Sequence, residues 1–240
     1  MKKIAFCGDS FFSIDDNRIG THFSELIAKT NNYLLINNSI PGSSNTYISF
    51  QVFDLVQNHK DVDFAVIGFT NSDRFDTNSD NFDEKINFDS IISYYQDKKL
   101  FSNTYPYLIS KNFSRPELFF DNESMKKFQE TAGQYFKRIH HEQISFYQDI
   151  LILISSLLFL KNQNISFICI NHFNQNKKYV DVFSKLAGIE IIDFDLLEYF
   201  SKYDDKNSVN HITPIGQKVL ANNLVDVINN KLNKNLQKIQ

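Results

Sequence analysis

The sequence predicts an α/β fold in which a parallel sheet is covered by helices on both faces. Two observations carry the prediction. Apolar runs of strand length alternate along the chain with segments of helical periodicity. One of these runs, Val62 to Phe69, is almost continuously apolar, as a central parallel strand buried on both faces should be.

Taken in order, Lys3 to Cys7 is short, β-rich and ended by Gly8, which reads as a buried strand. Apolar residues at Ile19, Phe23, Leu26 and Ile27 then have the spacing of a helix over 19–29. Tyr33 to Ile36 is a second strand, stopped by Asn37, Asn38 and the Pro41-Gly42 turn. A helix over 46–58 puts Ile48, Val52, Leu55 and Val56 on one side, and Val62 to Phe69 follows as the third strand. From Thr70 to about Arg115 the chain is rich in Asn, Asp, Ser and Tyr and has no sustained period, and 117–138 has mixed helical character. We read about 72–140 as a long insertion within a single domain over 1–240. Glu142 to Asn162 is a long helix carrying Ile144, Tyr147, Ile150, Leu151, Ile154, Leu157 and Leu158. Ile165 to Asn171 and Ile189 to Phe194 are the fourth and fifth strands. Pro214 to Leu232 closes the chain as a helix, with Thr213 as its N-cap and Pro214 at the first helical position.

A length of 240 residues suits one such domain. With 42% hydrophobic and 22% charged residues the composition is that of a globular protein, not of a disordered or collagen-like one. A net charge of -3 supplies no basic excess for phosphates, so no nucleic-acid partner is expected. The longest apolar candidate for a membrane span, Ile150 to Leu160, is broken by Ser155 and Ser156, and the apolar stretch before Gly8 is too short for a signal-peptide core. Cys7 and Cys169 both lie inside apolar runs, as buried thiols in a reducing compartment do. Together these features predict a cytoplasmic location, or packaging without classical secretion.

Four short segments fall at strand ends or helix starts, where open parallel sheets place their sites. They are Gly8-Asp9-Ser10 after strand one, Pro41-Gly42-Ser43-Ser44-Asn45 after strand two, Gly68-Phe69-Thr70-Asn71 at the end of strand three, and His211-Ile212-Thr213-Pro214-Ile215-Gly216 before the last helix. Each alone has an ordinary reading as a turn. As a set they hold four of the seven glycines, and they supply a hydroxyl, an imidazole and hydrogen-bond donors. Of the other histidines, His22, His59, His140 and His141 read as surface or packing residues, and His172 is the one rival for a site position because it ends strand four.

The ordered set resembles the SGNH hydrolase superfamily, the GDSL esterases and lipases, from residue 8 to residue 211. That resemblance implies a flavodoxin-like three-layer α/β/α sandwich with a central parallel sheet of about five strands. It implies Ser10 as nucleophile and His211 as its base. Its oxyanion donors would be the backbone amides of Ser10 and Gly42 and the side-chain amide of Asn71, with Thr70 as the alternative in the third block and Asp9 beside the nucleophile. A serine hydroxyl needs a base to take its proton, and the tetrahedral oxyanion needs preorganised donors, so the residue types suit the chemistry.

The match departs at two places. The family's aspartate, three residues before the histidine, is Ser208 here, and the nearest acids are Asp204 and Asp205. One of these could reach His211, with Asp205 the named candidate; a carbonyl or Ser208 could orient the imidazole instead; or catalysis has been lost. The third block reads Thr70-Asn71-Ser72-Asp73-Arg74 in place of the usual Asn-Asp. The expected activity is hydrolysis of a small acyl ester, acetyl first, on a carbohydrate or similar polar substrate. The insertion's Tyr94, Tyr95, Tyr105 and Tyr107 could stack on sugar rings or pack a cap. Acyl transfer at the same site and a non-catalytic binding or assembly role are the alternatives. No cofactor is expected: no Gly-x-Gly-x-x-Gly follows a strand and no metal-ligand spacing appears.

Overall fold

The computed structural model describes residues 1–14, 19–40, 43–70, 75–76, 108–109, 142–171, 181–182, 185–194, 196–203 and 212–240, with backbone alone at 75–76, 108–109, 142–146, 197 and 200–201. Among these, strands β1 (Lys3–Cys7), β2 (Leu34–Asn37), β3 (Val62–Phe69), β6 (Ser166–Asn171) and β7 (Ile191–Asp193) form one sheet, all pairs parallel, in the order β2-β1-β3-β6-β7. Two short strands, β4 (Phe75–Asp76) and β5 (Leu108–Ile109), pair antiparallel within the predicted insertion. The helices are α1 (Phe23–Thr30), α2 (Asn45–Asn58), α3 (Glu142–Asn162), α4 (Leu196–Tyr203) and α5 (Pro214–Leu232).

Alternation along the strands sorts the core into two faces. Ile4 and Phe6 of β1, Phe64 and Val66 of β3, and Ile168 and Ile170 of β6 share one apolar cluster with Phe23 and Ile27 of α1 and Leu220, Leu224 and Ile228 of α5. Ala5, Cys7, Ala65, Ile67 and Cys169 join the other, with Ile48, Val52 and Leu55 of α2 and Ile150, Leu153 and Leu157 of α3. Burying each large side chain contributes about 1.5–3 kcal/mol, so both helical layers are held by the central strands they share. This is the predicted three-layer sandwich with five parallel strands. Counting only the strands of the main sheet, the order is 2-1-3-4-5, the flavodoxin-like winding, whose direction reverses between β1 and β3.

Burial pushes both thiols, Cys7 and Cys169, well above the usual range, and the charge of Asp54 adds to the effect at Cys7. Both are free cysteines. No helix among the described residues is long and apolar enough to cross a membrane.

Three local differences from the sequence reading have clear causes. α1 starts at Phe23 and not at Ile19, because buried His22 takes the N-cap position and its ring accepts from the Ser24 amide; Ile19 is 66% exposed. Helix α4 was not expected, since only Phe194 and residue 195 separate it from β7. Along α3 the buried stripe is Ile150, Leu153, Leu157 and Leu160, while Tyr147 and Leu151 face outward. The predicted helical stretch over 117–138 lies outside the described residues.

An ion-pair cluster lies at the opposite end of the sheet from the candidate site. The Tyr33 hydroxyl donates to Asp63 at 2.9 Å, and Lys234 Nζ lies 2.9 Å from the same carboxylate oxygen. Partial burial works against the Asp63 charge, yet the hydrogen bonds from Lys234 and Tyr33 outweigh it and hold the carboxyl below its ordinary range. Tyr33 is pushed up to about 12, first by burial and then by its bond to Asp63. A depressed carboxyl contributes stability above its unfolded value near about 4, lost as pH falls through the lower folded value. A raised tyrosine contributes stability below its unfolded value near about 10, lost as pH rises toward 12. Asp63→Asn is therefore expected to flatten both limbs of the urea midpoint plotted against pH. Unchanged limbs would mean that other groups set them.

Candidate active site

The winding reverses between β1 and β3, and folds of this kind bind ligands at the carboxyl ends of the strands beside such a reversal. Block one, Gly8-Asp9-Ser10, leaves β1 there, and block three reaches Thr70 from β3. Asp9 folds the first block into a tight turn. Its carbonyl accepts from the amides of Phe12 and Ser13, both at 3.0 Å, and its Oδ1 accepts from the Phe11 amide at 3.0 Å. A carboxylate bonding the amide two residues on is an Asx-turn, and it places Ser10, only partly buried, at the bend.

A ring of buried side chains joins this turn to the neighbouring loops. Gln51 of α2, fully buried, accepts from the Gly8 amide at 2.7 Å and donates to the Gly8 carbonyl and to Ser43 Oγ, each at 3.0 Å. It pairs with Gly8 as a strand neighbour would, and it ties block one to block two. Asn45, the first residue of α2, accepts from the Thr70 amide at 3.0 Å and donates to the Thr70 carbonyl at 3.1 Å, tying block two to block three. Its side-chain nitrogen also lies 3.2 Å from Asp149 Oδ2 on α3. Thr70 Oγ1 then donates to Asp9 Oδ2 at 2.9 Å and closes the ring. Each buried polar group left without its partner would cost about 1–3 kcal/mol, so the three loops are locked in one relative arrangement.

A second network holds the far side of block one. The Asn37 amide donates to the Phe12 carbonyl at 2.9 Å and to Ser24 Oγ at 3.3 Å. Ser24 Oγ lies 2.7 Å from His22 Nδ1, and His22 Nε2 lies 3.4 Å from the Phe11 carbonyl. The tautomer that fits this chain has its proton on Nε2. The last helix is tied to the same corner. Gln217 of α5 accepts from the Phe23 amide at 2.9 Å, and the Thr213 amide donates to the Tyr203 carbonyl at 2.8 Å. As expected, Thr213 caps α5 by accepting from the Gly216 amide, with Pro214 in the first turn. Ile212, next in the chain after His211, is buried in the same apolar cluster as Phe11, Phe12 and Phe23.

Three of the four glycines that mark the segments have a packing reason. A Cβ on Gly8 would lie 2.8 Å from the Phe12 ring, one on Gly68 would lie 2.2 Å from it, and one on Gly216 would lie 2.5 Å from Tyr203 Cβ. The Phe12 ring therefore lies across the ends of β1 and β3, beneath the turn that carries Ser10.

Of the residues singled out in the sequence, Ser10, Asp9 and Thr70 meet at the carboxyl ends of β1 and β3. Asp9 is fully buried and both of its carboxylate oxygens accept bonds within the ring, so it braces the turn. Gly42, Asn71, Asp205 and His211 lie outside the described residues, as do Asp204, Ser208, His172 and the insertion tyrosines. Gln51 and Asp149 were not anticipated, and Asn45 stands in the second segment without a role. Their signal was a polar residue within an apolar helical stripe: on α2, Asn45 and Gln51 fall on the side of Ile48, Val52 and Leu55. At the next strand ends, Asn171 donates to Asp193 at 2.8 Å. Among the described residues no group of three or more His, Cys, Asp or Glu could hold a metal ion.

No protein-family model and no curated protein sequence matches this chain. Solved structures do. The fold is similar to that of a G-D-S-L family lipolytic protein from Desulfitobacterium hafniense, with 10% identity and a TM-score of 0.50 over 95% of this chain and 99% of that one. It is similar to the psychrotrophic esterase EstA from a Pseudoalteromonas species, with 12% identity and a TM-score of 0.51 over 98% and 100%. It is also similar to the acetyl xylan esterase Est2A from Butyrivibrio proteoclasticus, with 11% identity and a TM-score of 0.52 over 97% of this chain and 64% of that one. At such identities the likeness establishes the fold, and it is the fold of the GDSL esterases that the ordered segments resemble.

Proposed function

We propose that the chain is a serine esterase that removes a small acyl group, acetyl first, from a carbohydrate or similar polar substrate. The observation that carries this reading is the position of Ser10, at a braced turn beside the reversal of winding, with the second and third blocks locked to it by Gln51, Asn45 and Thr70. In this reading Ser10 Oγ attacks the acyl carbonyl while His211 takes its proton. The oxyanion is held by the amides of Ser10 and Gly42 and by the Asn71 side chain. Collapse expels the alcohol, which leaves with the proton from His211. Water then attacks the acyl-serine, again through His211, and acetate is released with Ser10 restored. Gln217 ties α5, the helix that follows His211 in the chain, to α1. Asp205 is the proposed acid. Two free, buried cysteines favour a cytoplasmic setting.

The test is release of acetate from p-nitrophenyl acetate and from an acetylated xylo-oligosaccharide, with and without an unacetylated sugar as acceptor. Free acetate is the expected product in both cases, and His211→Ala is expected to lower its rate by about 10³-fold or more. Acetyl groups recovered on the added sugar would assign transfer instead. A folded protein that cleaves neither ester would be a binding protein on this fold, as Ser208 at the aspartate position permits, and the esterase reading would be withdrawn.

A further inference from the structure

We infer that Asn45 is a positioning residue for the oxyanion-binding loops, an inference that rests on the esterase reading above and names a residue to which the resemblance gives no role. Its side chain is 2% exposed and turned inward from the first turn of α2, where a residue facing water would meet no constraint. It bonds both backbone groups of Thr70, accepting from the amide and donating to the carbonyl. Those are the two bonds a neighbouring strand would make. β1 has turned away into the Gly8–Ser10 bend, and the pairing of β3 with β6 ends at Phe69 opposite Asn171. The Asn45 amide therefore supplies one more rung beyond the last residue of β3.

The consequence lies in what is attached at each end. Thr70 directly precedes Asn71, and Asn45 follows Gly42 by three residues in a segment whose Ser43 is held by Gln51 and whose Ser44 caps α2. One side chain thus joins the end of the second segment to the residue before Asn71, the two segments that supply the second and third oxyanion donors in the esterase reading. Asp149 fixes which way the amide points: the side-chain nitrogen faces a carboxylate oxygen at 3.2 Å, leaving the oxygen for the Thr70 amide. Donors aimed at an oxyanion act only where charge develops, so an error in their placement reduces kcat and leaves ground-state binding largely intact.

The isosteric Asn45→Asp keeps the acceptor for the Thr70 amide and replaces the donor by an oxygen facing both the Thr70 carbonyl and Asp149. With p-nitrophenyl acetate, kcat is expected to fall by about 10-fold or more with KM within about 3-fold, and the rate of labelling by a fluorophosphonate to fall in parallel. Leu55→Ala, in the core-facing stripe of the same helix and fully buried, serves as the comparison. It is expected to lower Tm through lost packing while kcat, measured well below that Tm, stays at the wild-type value. A merely structural Asn45 would behave like Leu55. Should Asn45→Asp not fold, Asn45→Ser, whose hydroxyl is too short to pair with both groups of Thr70, is measured in the same way with the same expected split. Wild-type kcat in a folded Asn45 variant overturns the inference while leaving the esterase reading standing. A wild-type protein without cleavage or labelling overturns both.

Discussion

Replacement of Ser10 by alanine is expected to lower the rate of ester cleavage by about 10³-fold or more while shifting the stability to unfolding by no more than about 1 kcal/mol. The activity term is large because the other candidate groups at the bend are engaged: Asp9 is buried with both oxygens bonded, the Thr70 hydroxyl donates to it, and the buried Ser13 hydroxyl donates to the Ser10 carbonyl. The stability term is small because Ser10 is only partly buried and the turn is built by its neighbours. The Phe11, Phe12 and Ser13 amides all bond to Asp9, and their geometry does not require a hydroxyl at residue 10. Steady-state kinetics with p-nitrophenyl acetate and a urea titration of the same preparation check the two halves. Activity that survives in a folded variant would move the nucleophile elsewhere.

The second large effect is on stability. Gly68→Ala places a methyl carbon 2.2 Å from Phe12 Cε2, a separation that real contacts do not allow. The ring cannot withdraw easily. It is 1% exposed, packs edge-on against Phe23 at 5.5 Å, and already touches the position where a Cβ on Gly8 would lie. Overpacking of this kind costs about 1–3 kcal/mol, and because the displaced ring underlies the Ser10 turn, activity should fall with stability. Phe12→Leu removes the two nearest ring atoms, Cε2 and Cζ. The double variant is therefore expected to be less destabilised than the sum of the single ones, a coupling that a double-mutant cycle of urea midpoints measures. A neutral Gly68→Ala would mean that the ring has room to move.

How far the sequence could be read follows from which interactions are local. β1, β3, α3 and α5 have the boundaries expected from their apolar runs and caps, because those signals are carried within each element. Helix α4 has the spacing of Leu196, Tyr199 and Tyr203, but only Phe194 and Asp195 separate it from β7, so the two run together in the sequence. The place of the candidate site was legible, since the ordered segments fall at the ends of strands whose apolar runs mark them. Its bracing was not. Gln51 meets Gly8 across 43 residues and Asn45 meets Asp149 across 104, so the apolar side of α2 marks both amides but nothing local names their partners. In the sequence Gly8 and Gly68 stand only as members of the ordered segments. At Gly8 and Gly68 the close neighbour is the protein's own Phe12, an aromatic ring that the segment pattern does not include.

The central claim is that Ser10 is an activated nucleophile. Its most direct test is incubation of the folded protein with a fluorophosphonate, followed by mass spectrometry of the peptides. The account predicts one phosphonyl group on the peptide containing Ser10, absent from Ser10→Ala and strongly slowed in His211→Ala. An unmodified wild-type protein, or a phosphonyl group carried on another serine, would contradict it.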